Sequence, residues 1–234
     1  MRVCIDPGHN NTGADTGSQG NGLNEGAVTL AIASRLKPLL EHNGIEVVMT
    51  RESDFVSPFP RSVIESLQTR VNIANNAKVD LFVSIHINAG GGTGVEVLIM
   101  GTGGRAEIAA KKVLPHLVKA GSWVNRGVKT QNAHVLRETT MPAILTENGF
   151  IDSASDSAKL KGCDFLQTLA VAHAKGICEY FGLTYKGEAQ KVVVAPVVED
   201  KDIYLSVRVR TSKADALVKQ IQGMGYATKV MDLA

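Results

Sequence analysis

The chain has 234 residues, 44% hydrophobic and 21% charged, with a formal net charge of +2. That length holds one full α/β domain and a small appendage, and the composition is that of a chain with a buried core, which excludes general disorder. The near balance of charge argues against a strongly electrostatic nucleic-acid binder, and no apolar run approaches the roughly 18 residues that span a bilayer, so neither nucleic acid nor membrane insertion is expected.

Met1 leads within two residues into Val3-Cys4-Ile5, without the basic region, apolar core and cleavage site of a secretory signal. The expectation is that a signal was removed, or that the protein is made in the cytoplasm and reaches its site by another route. Residues 2–6 read as a short buried strand, and a loop rich in glycine and asparagine follows from Gly8 to Gly22. Asn24 is suited to cap a helix in which Val28, Ala31, Ile32, Leu36, Leu39 and Leu40 recur at helical spacing, with a kink expected at Pro38 and a stop at Asn43-Gly44. Ile45 to Thr50 is a β-branched strand, and the two prolines between Ser53 and Pro60 mark a loop.

Ile64, Leu67, Val71 and Ala74 outline a second helix. Val79 to Ile85 is almost continuously apolar, as in a central strand covered on both faces, and ends at His86. A strand from Gly94 to Met100, a helix from Ala106 to Val118 containing Pro115, and a strand from Ala143 to Thr146 follow. One long helix is expected from Asp156 to Phe181, with Leu166, Leu169, His173, Ile177 and Phe181 on one face. Cys4, Cys163 and Cys178 have no short paired spacing and are read as buried apolar residues rather than a disulfide framework or a thiolate metal knuckle. The alternation predicts an α/β fold, a mostly parallel twisted sheet with helices on both faces.

Beyond Gly182 the composition changes. The expected organisation is a catalytic domain over 1–183, a linker over 184–201 and a small βαβ unit over 202–234, with strands at Ile203–Val209 and Tyr226–Met231 and a helix at Ser212–Gln222. Two strands and a helix cannot bury a core alone, so the unit must pair with something.

Chemistry-bearing residues follow from the strands. His9 lies just past the first, His86 ends the central one, and Glu147 follows Ala143 to Thr146; Glu25, at the start of the first helix, returns to the same edge. Ligands of open α/β sheets gather at the carboxyl ends of strands. Two imidazoles, one carboxylate and an open position for water form a common catalytic zinc set, and a second carboxylate can serve as general base. The residues alone leave open which acid does which, and no compact H-E-x-x-H motif is present.

Asp6-Pro7-Gly8-His9, Glu25 after a glycine-rich loop, Thr50-Arg51, Ser84-Ile85-His86-Ile87-Asn88-Ala89, Gly94-Val95-Glu96-Val97, Val135-Leu136-Arg137 and Pro142 through Ile151 occur in that order. Over residues 2 to about 182 the chain resembles the zinc-dependent N-acetylmuramoyl-L-alanine amidases, a family of bacterial cell-separation and germination enzymes and phage endolysins. The resemblance implies a peptidoglycan hydrolase that cuts the amide bond between N-acetylmuramic acid and the L-alanine of the stem peptide. It implies one zinc per chain held by His9, Glu25 and His86, with water activated by the metal and Glu147 as general base. Asn88 and Arg137 are candidates for holding the developing oxyanion. The stretch Ile151-Asp152-Ser153-Ala154 departs from relatives, which often carry an asparagine there. Residues 204–231 resemble half of a sporulation-related repeat, and two tails from two chains are expected to pair into a wall-anchoring homodimer. Peptidoglycan is thus the expected partner, and release through a separate pore during phage lysis the expected route to the wall.

Plainer readings stand beside these. His42, His116 and His173 read as structural, His134 as a spare facing the cleft, and Glu25 alone as a first-turn acid favoured by the helix dipole. A phosphate-binding role for the loop from Gly8 to Gly22 fails, because G-x-x-x-x-G-K-[ST] is missing and Glu25 would oppose a phosphate at that helix end. A zinc carboxypeptidase acting on stem peptides and a catalytically silent wall-binding protein are the remaining rivals.

Overall fold

The computed structural model describes residues 1–187 and the backbone of three further strands, 190–194, 206–210 and 229–232. The chain divides into one unit over Met1–Tyr185 and another over Lys186–Ala234.

The first unit is built on six strands: β4 (Glu46–Met49), β1 (Arg2–Pro7), β5 (Leu81–Asn88), β8 (Ala143–Phe150), β6 (Val95–Ile99) and β7 (Asn125–Thr130), adjacent in that order. Every pairing is parallel except β6 with β8. A two-residue hairpin, β2 (Gln19–Gly20) with β3 (Leu23–Asn24), decorates the first loop. Strand alternation distributes side chains to two cores. Val3, Ile5, Val83, Ile85, Val97 and Ile99 pack under α1 (Glu25–His42), α3 (Arg105–Gly121) and α6 (Cys163–Tyr180). Cys4, Phe82, Leu98 and Leu145 meet α2 (Val63–Ala77) and the single-turn α4 (His134–Arg137) on the other face. The expected mostly parallel sheet with helices on both faces is therefore present.

Local chemistry explains the helix ends. Asn24 accepts a hydrogen bond from the Ala27 amide and Ser62 accepts one from Glu65, each satisfying a first-turn donor. Helix α1 runs continuously through Pro38, and α3 through Pro115. The single helix expected over Asp156 to Phe181 is two, α5 (Ala154–Leu160) and α6, separated at Lys161-Gly162, where Gly162 has the extended backbone of an N-cap. β5 and β8 continue beyond their expected ends, and β7 and α4 were not anticipated. Cys4 and Cys178 are buried, whereas Cys163 is exposed at the start of α6.

In the second unit, β9 (Gln190–Val194) lies between β10 (Ser206–Arg210) and β11 (Lys229–Asp232) and is antiparallel to both. Residues 190–194 thus form a strand where a linker was expected. β9 supplies from the same chain a strand partner that the bare βαβ reading lacked. The helix expected at Ser212–Gln222 lies outside the described residues.

Candidate active site

β1 ends by turning sharply at Gly8, where an added Cβ would sit 2.3 Å from Nε2 of His86. The next residue, His9, takes a left-handed backbone, φ 59°, uncommon for a side chain of its size. Two buried arginines hold this turn. Arg51 donates from Nε to the Pro7 carbonyl (3.0 Å) and from Nη2 to the Gly26 carbonyl (2.7 Å). Arg70, on α2, donates to the His9 carbonyl (2.6 Å) and pairs with buried Asp6 at 2.7 Å. Such over-determination is what keeps a strained conformation in place.

Glu25 opens α1, nearly fully buried, and its two oxygens serve different partners. Oε2 accepts from the Ser18 amide at 2.9 Å; Oε1 accepts from the Ile87 amide at 3.0 Å and lies 3.2 Å from Nδ1 of His86 and 3.4 Å from Nε2 of His9. Gly17 closes over this group: a Cβ there would lie 2.7 Å from the His9 ring and 2.8 Å from Glu25 Oε2. Burial alone would raise the Glu25 pKa, but the hydrogen bond and charge of His86, the charge of His9 and the Ser18 amide bring it below its ordinary value. One donor atom from each of His9, Glu25 and His86 falls within 4.8 Å of the others, close enough for one cation to touch all three.

His9 is oriented from behind. Its Nδ1 lies 2.6 Å from Oδ1 of Asp15, whose Oδ2 accepts from Ser66 Oγ at 2.8 Å. A carboxylate on one ring nitrogen fixes the tautomer and leaves the other nitrogen's lone pair free. Asp15 had a signal in the sequence, as the only charged residue between His9 and Glu25.

His86, Glu147 and Glu96 are direct partners across β5, β8 and β6, so their side chains share one face. Glu147 Oε2 is buried and has no hydrogen-bond partner among the described residues. Burial, followed by the charges of Glu25 and Glu96, pushes its pKa up to about 8, with His9 acting the other way. A cavity of about 280 Å³ opens over His9, His86 and Glu147, with Asp15, Arg70 and His134 also in its wall.

Residues 3–179 match the family described as N-acetylmuramoyl-L-alanine amidase. The chain belongs to that family. It is 44% identical over 186 residues to the sporulation-specific N-acetylmuramoyl-L-alanine amidase of Bacillus subtilis (strain 168), covering 78% of this chain and 69% of that protein. It is 38% identical over 234 residues to the N-acetylmuramoyl-L-alanine amidase CwlM of Bacillus licheniformis, covering 99% of this chain and 85% of that one. Among solved structures, the catalytic domain of CwlV, an N-acetylmuramoyl-L-alanine amidase from Bacillus (Paenibacillus) polymyxa var. colistinus, superposes with a TM-score of 0.69 at 34% identity, covering 78% of this chain and 99% of that one. The protein is a cell-wall amidase, a hydrolase of peptidoglycan. Among the described residues, no helix is long and apolar enough to cross a membrane.

In this amidase the remaining sequence candidates part company. His134 faces the cavity, 3.3 Å from Gln68 Oε1. Asn88 and Arg137 are not in the cavity wall: Asn88 donates to Glu96 at 3.1 Å, and exposed Arg137 is engaged with Glu138 and Asn132. The histidines read as structural stay away from the site. His42 is exposed, and His116 lies 2.7 Å from Glu179. His173 is fully buried, its Nδ1 donating to the Leu169 carbonyl, which leaves Nε2 to accept from the Thr146 hydroxyl. Burial lowers its pKa to about 4, so it is neutral at physiological pH.

Proposed function

We propose that this amidase cleaves the bond between N-acetylmuramic acid and the L-alanine of the stem peptide, with His9, Glu25 and His86 holding one zinc ion and Glu147 acting as general base. The observation that carries the reading is the convergence of three donor atoms within 4.8 Å beside a buried carboxylate oxygen that has no partner among the described residues. The donor set fits the ion: two imidazoles and one carboxylate are a known three-ligand set that leaves the fourth position open for chemistry. Zinc held there would polarise the amide carbonyl and lower the pKa of water towards about 7.

The protein's own groups do the rest. Asp15 takes the Nδ1 proton of His9 in a hydrogen bond, so Nε2 is presented as a lone pair. Glu25, whose two oxygens each accept from a backbone amide, contributes negative charge without needing to titrate. Glu147 has the opposite character. Burial raises its basicity, and a cation nearby would favour its ionised form. As a carboxylate it accepts a proton from the attacking water through Oε2 and then delivers it to the amine that leaves with the peptide.

The second unit is proposed to hold the enzyme at the wall, alone or as a pair of chains. Muropeptide analysis tests the specificity. An amidase frees the lactyl carboxyl of muramic acid and releases intact stem peptides. A carboxypeptidase would shorten the stem, and a silent binding protein would leave the wall unchanged; either outcome overturns the reading.

A further inference from the structure

The row His86, Glu147, Glu96 continues to the edge strand β7, where two cations meet the last member. Arg126 Nε and Lys129 Nζ each lie 2.6 Å from Oε2 of Glu96, while Asn88 donates to Oε1. Glu96 is buried, whereas the Arg126 and Lys129 side chains are 31% and 43% exposed, so the pair is partly open to solvent. The guanidinium also sits 4.8 Å from the centre of the Phe150 ring, which restricts its orientation. Two cations on one carboxylate leave one positive charge over, and the second guanidinium nitrogen pair and two ammonium hydrogens remain as donors. A lysine on an edge strand by itself guards the edge against pairing. Two basic residues converging on a buried acid in line with Glu147 do more than that requires.

We propose that Arg126 and Lys129 form a subsite for a free carboxylate of the stem peptide, and that this subsite contributes to substrate choice; the proposal rests on the assignment of Glu147 and its neighbours as the reacting centre. The spacing suits the role. β7 is two strand steps from β8, about 10 Å, which an extended peptide crosses in about three residues. A stem peptide whose first amide lies over Glu147 therefore brings its second or third residue to the basic pair. Arg126 and Lys129 are positioning residues that touch the substrate away from the scissile bond. Glu96 holds them there and takes up part of their charge.

The test uses the full chain and two muramoyl-peptides of equal length, one with free carboxylates at stem positions two and three and one with those groups amidated. The wild type is expected to favour the free acid by about two- to fivefold in kcat/KM, as for a partly exposed ion pair, with the difference in KM and reduced by added salt. The ratio falls to about one in the double variant Arg126→Gln/Lys129→Gln and rises above wild type in Glu96→Gln, where the cations lose their internal partner. Opposite movements of a ratio are not what a loss of folding produces. A wild-type ratio near one, or a ratio unmoved in the double variant, overturns the subsite. A wild type that cleaves neither peptide would instead overturn the amidase assignment beneath it.

Discussion

Two carboxylates lie on the same sheet, two strands apart, and have opposite fates. Asp6, on β1, is fully buried, yet Thr50 and Arg70 donate to one oxygen and Ser84 to the other. Burial alone would raise its pKa; Arg70's charge and the three hydrogen bonds outweigh that and lower it. Glu147, on β8, has one oxygen buried with no donor among the described residues, and its pKa rises to about 8. The difference teaches that burial does not set a charge state; the supply of donors does. Asp6 is a fixed anion that holds the frame, and Glu147 is left able to change its proton.

The sharpest way to break the contrast is Glu147→Gln, which is nearly isosteric but cannot take a proton. Release of soluble peptide from purified walls should fall by about 10² to 10⁴. The reciprocal substitution, Asp6→Asn, should act first on folding. It removes the nearer of the two acids beside the fully buried charge of Arg70, Asp15 being the other at 4.0 Å, a loss of about 3 kcal/mol in a urea titration, and slackens the turn at His9 that Arg70 holds. Next in size is the metal: zinc at about 100 times its Kd should add about 2.7 kcal/mol of stability in melts with and without chelator, an increment that His86→Ala erases.

The most gradual effect is a slope with pH, and its sign differs between the two acids. A lowered pKa at Asp6 means stability in full above about pH 4, lost as pH falls through the folded value. A raised pKa at Glu147 means that the folded state binds more protons between about 4.3, the unfolded value, and about 8. The metal-free protein should therefore lose stability as pH rises across that window, and Glu147→Gln should flatten the slope. Denaturant midpoints from well below about pH 4 up to about pH 8 check both.

His9 and His86 were legible because strand ends in an open α/β sheet deliver side chains to one edge, and the apolar runs ahead of them mark the strands. The metal cradle depends on contacts that period cannot show. Asp15 reaches His9 only once the glycine-rich loop has closed. The basic pair was hidden for another reason: β7 reads Asn-Arg-Gly-Val-Lys-Thr, one apolar residue in six, because an edge strand is half exposed and carries no alternation to detect. Asn88 drew attention as an oxyanion donor from its motif, but its side chain turns to Glu96, a preference set by the neighbouring strand. At Gly162 the apolar stripe continues on both sides of a break, so helical period alone joined α5 to α6.

The central claim is that three ligands bind the ion and Glu147 does not. Zinc titration calorimetry on metal-free wild type, His9→Ala and Glu147→Gln, with wall hydrolysis measured on the same samples, tests it most directly. The account predicts one zinc per chain in wild type and in Glu147→Gln, hydrolysis in wild type alone, and loss of tight binding in His9→Ala. Loss of zinc in Glu147→Gln, or full zinc binding in His9→Ala, would contradict it.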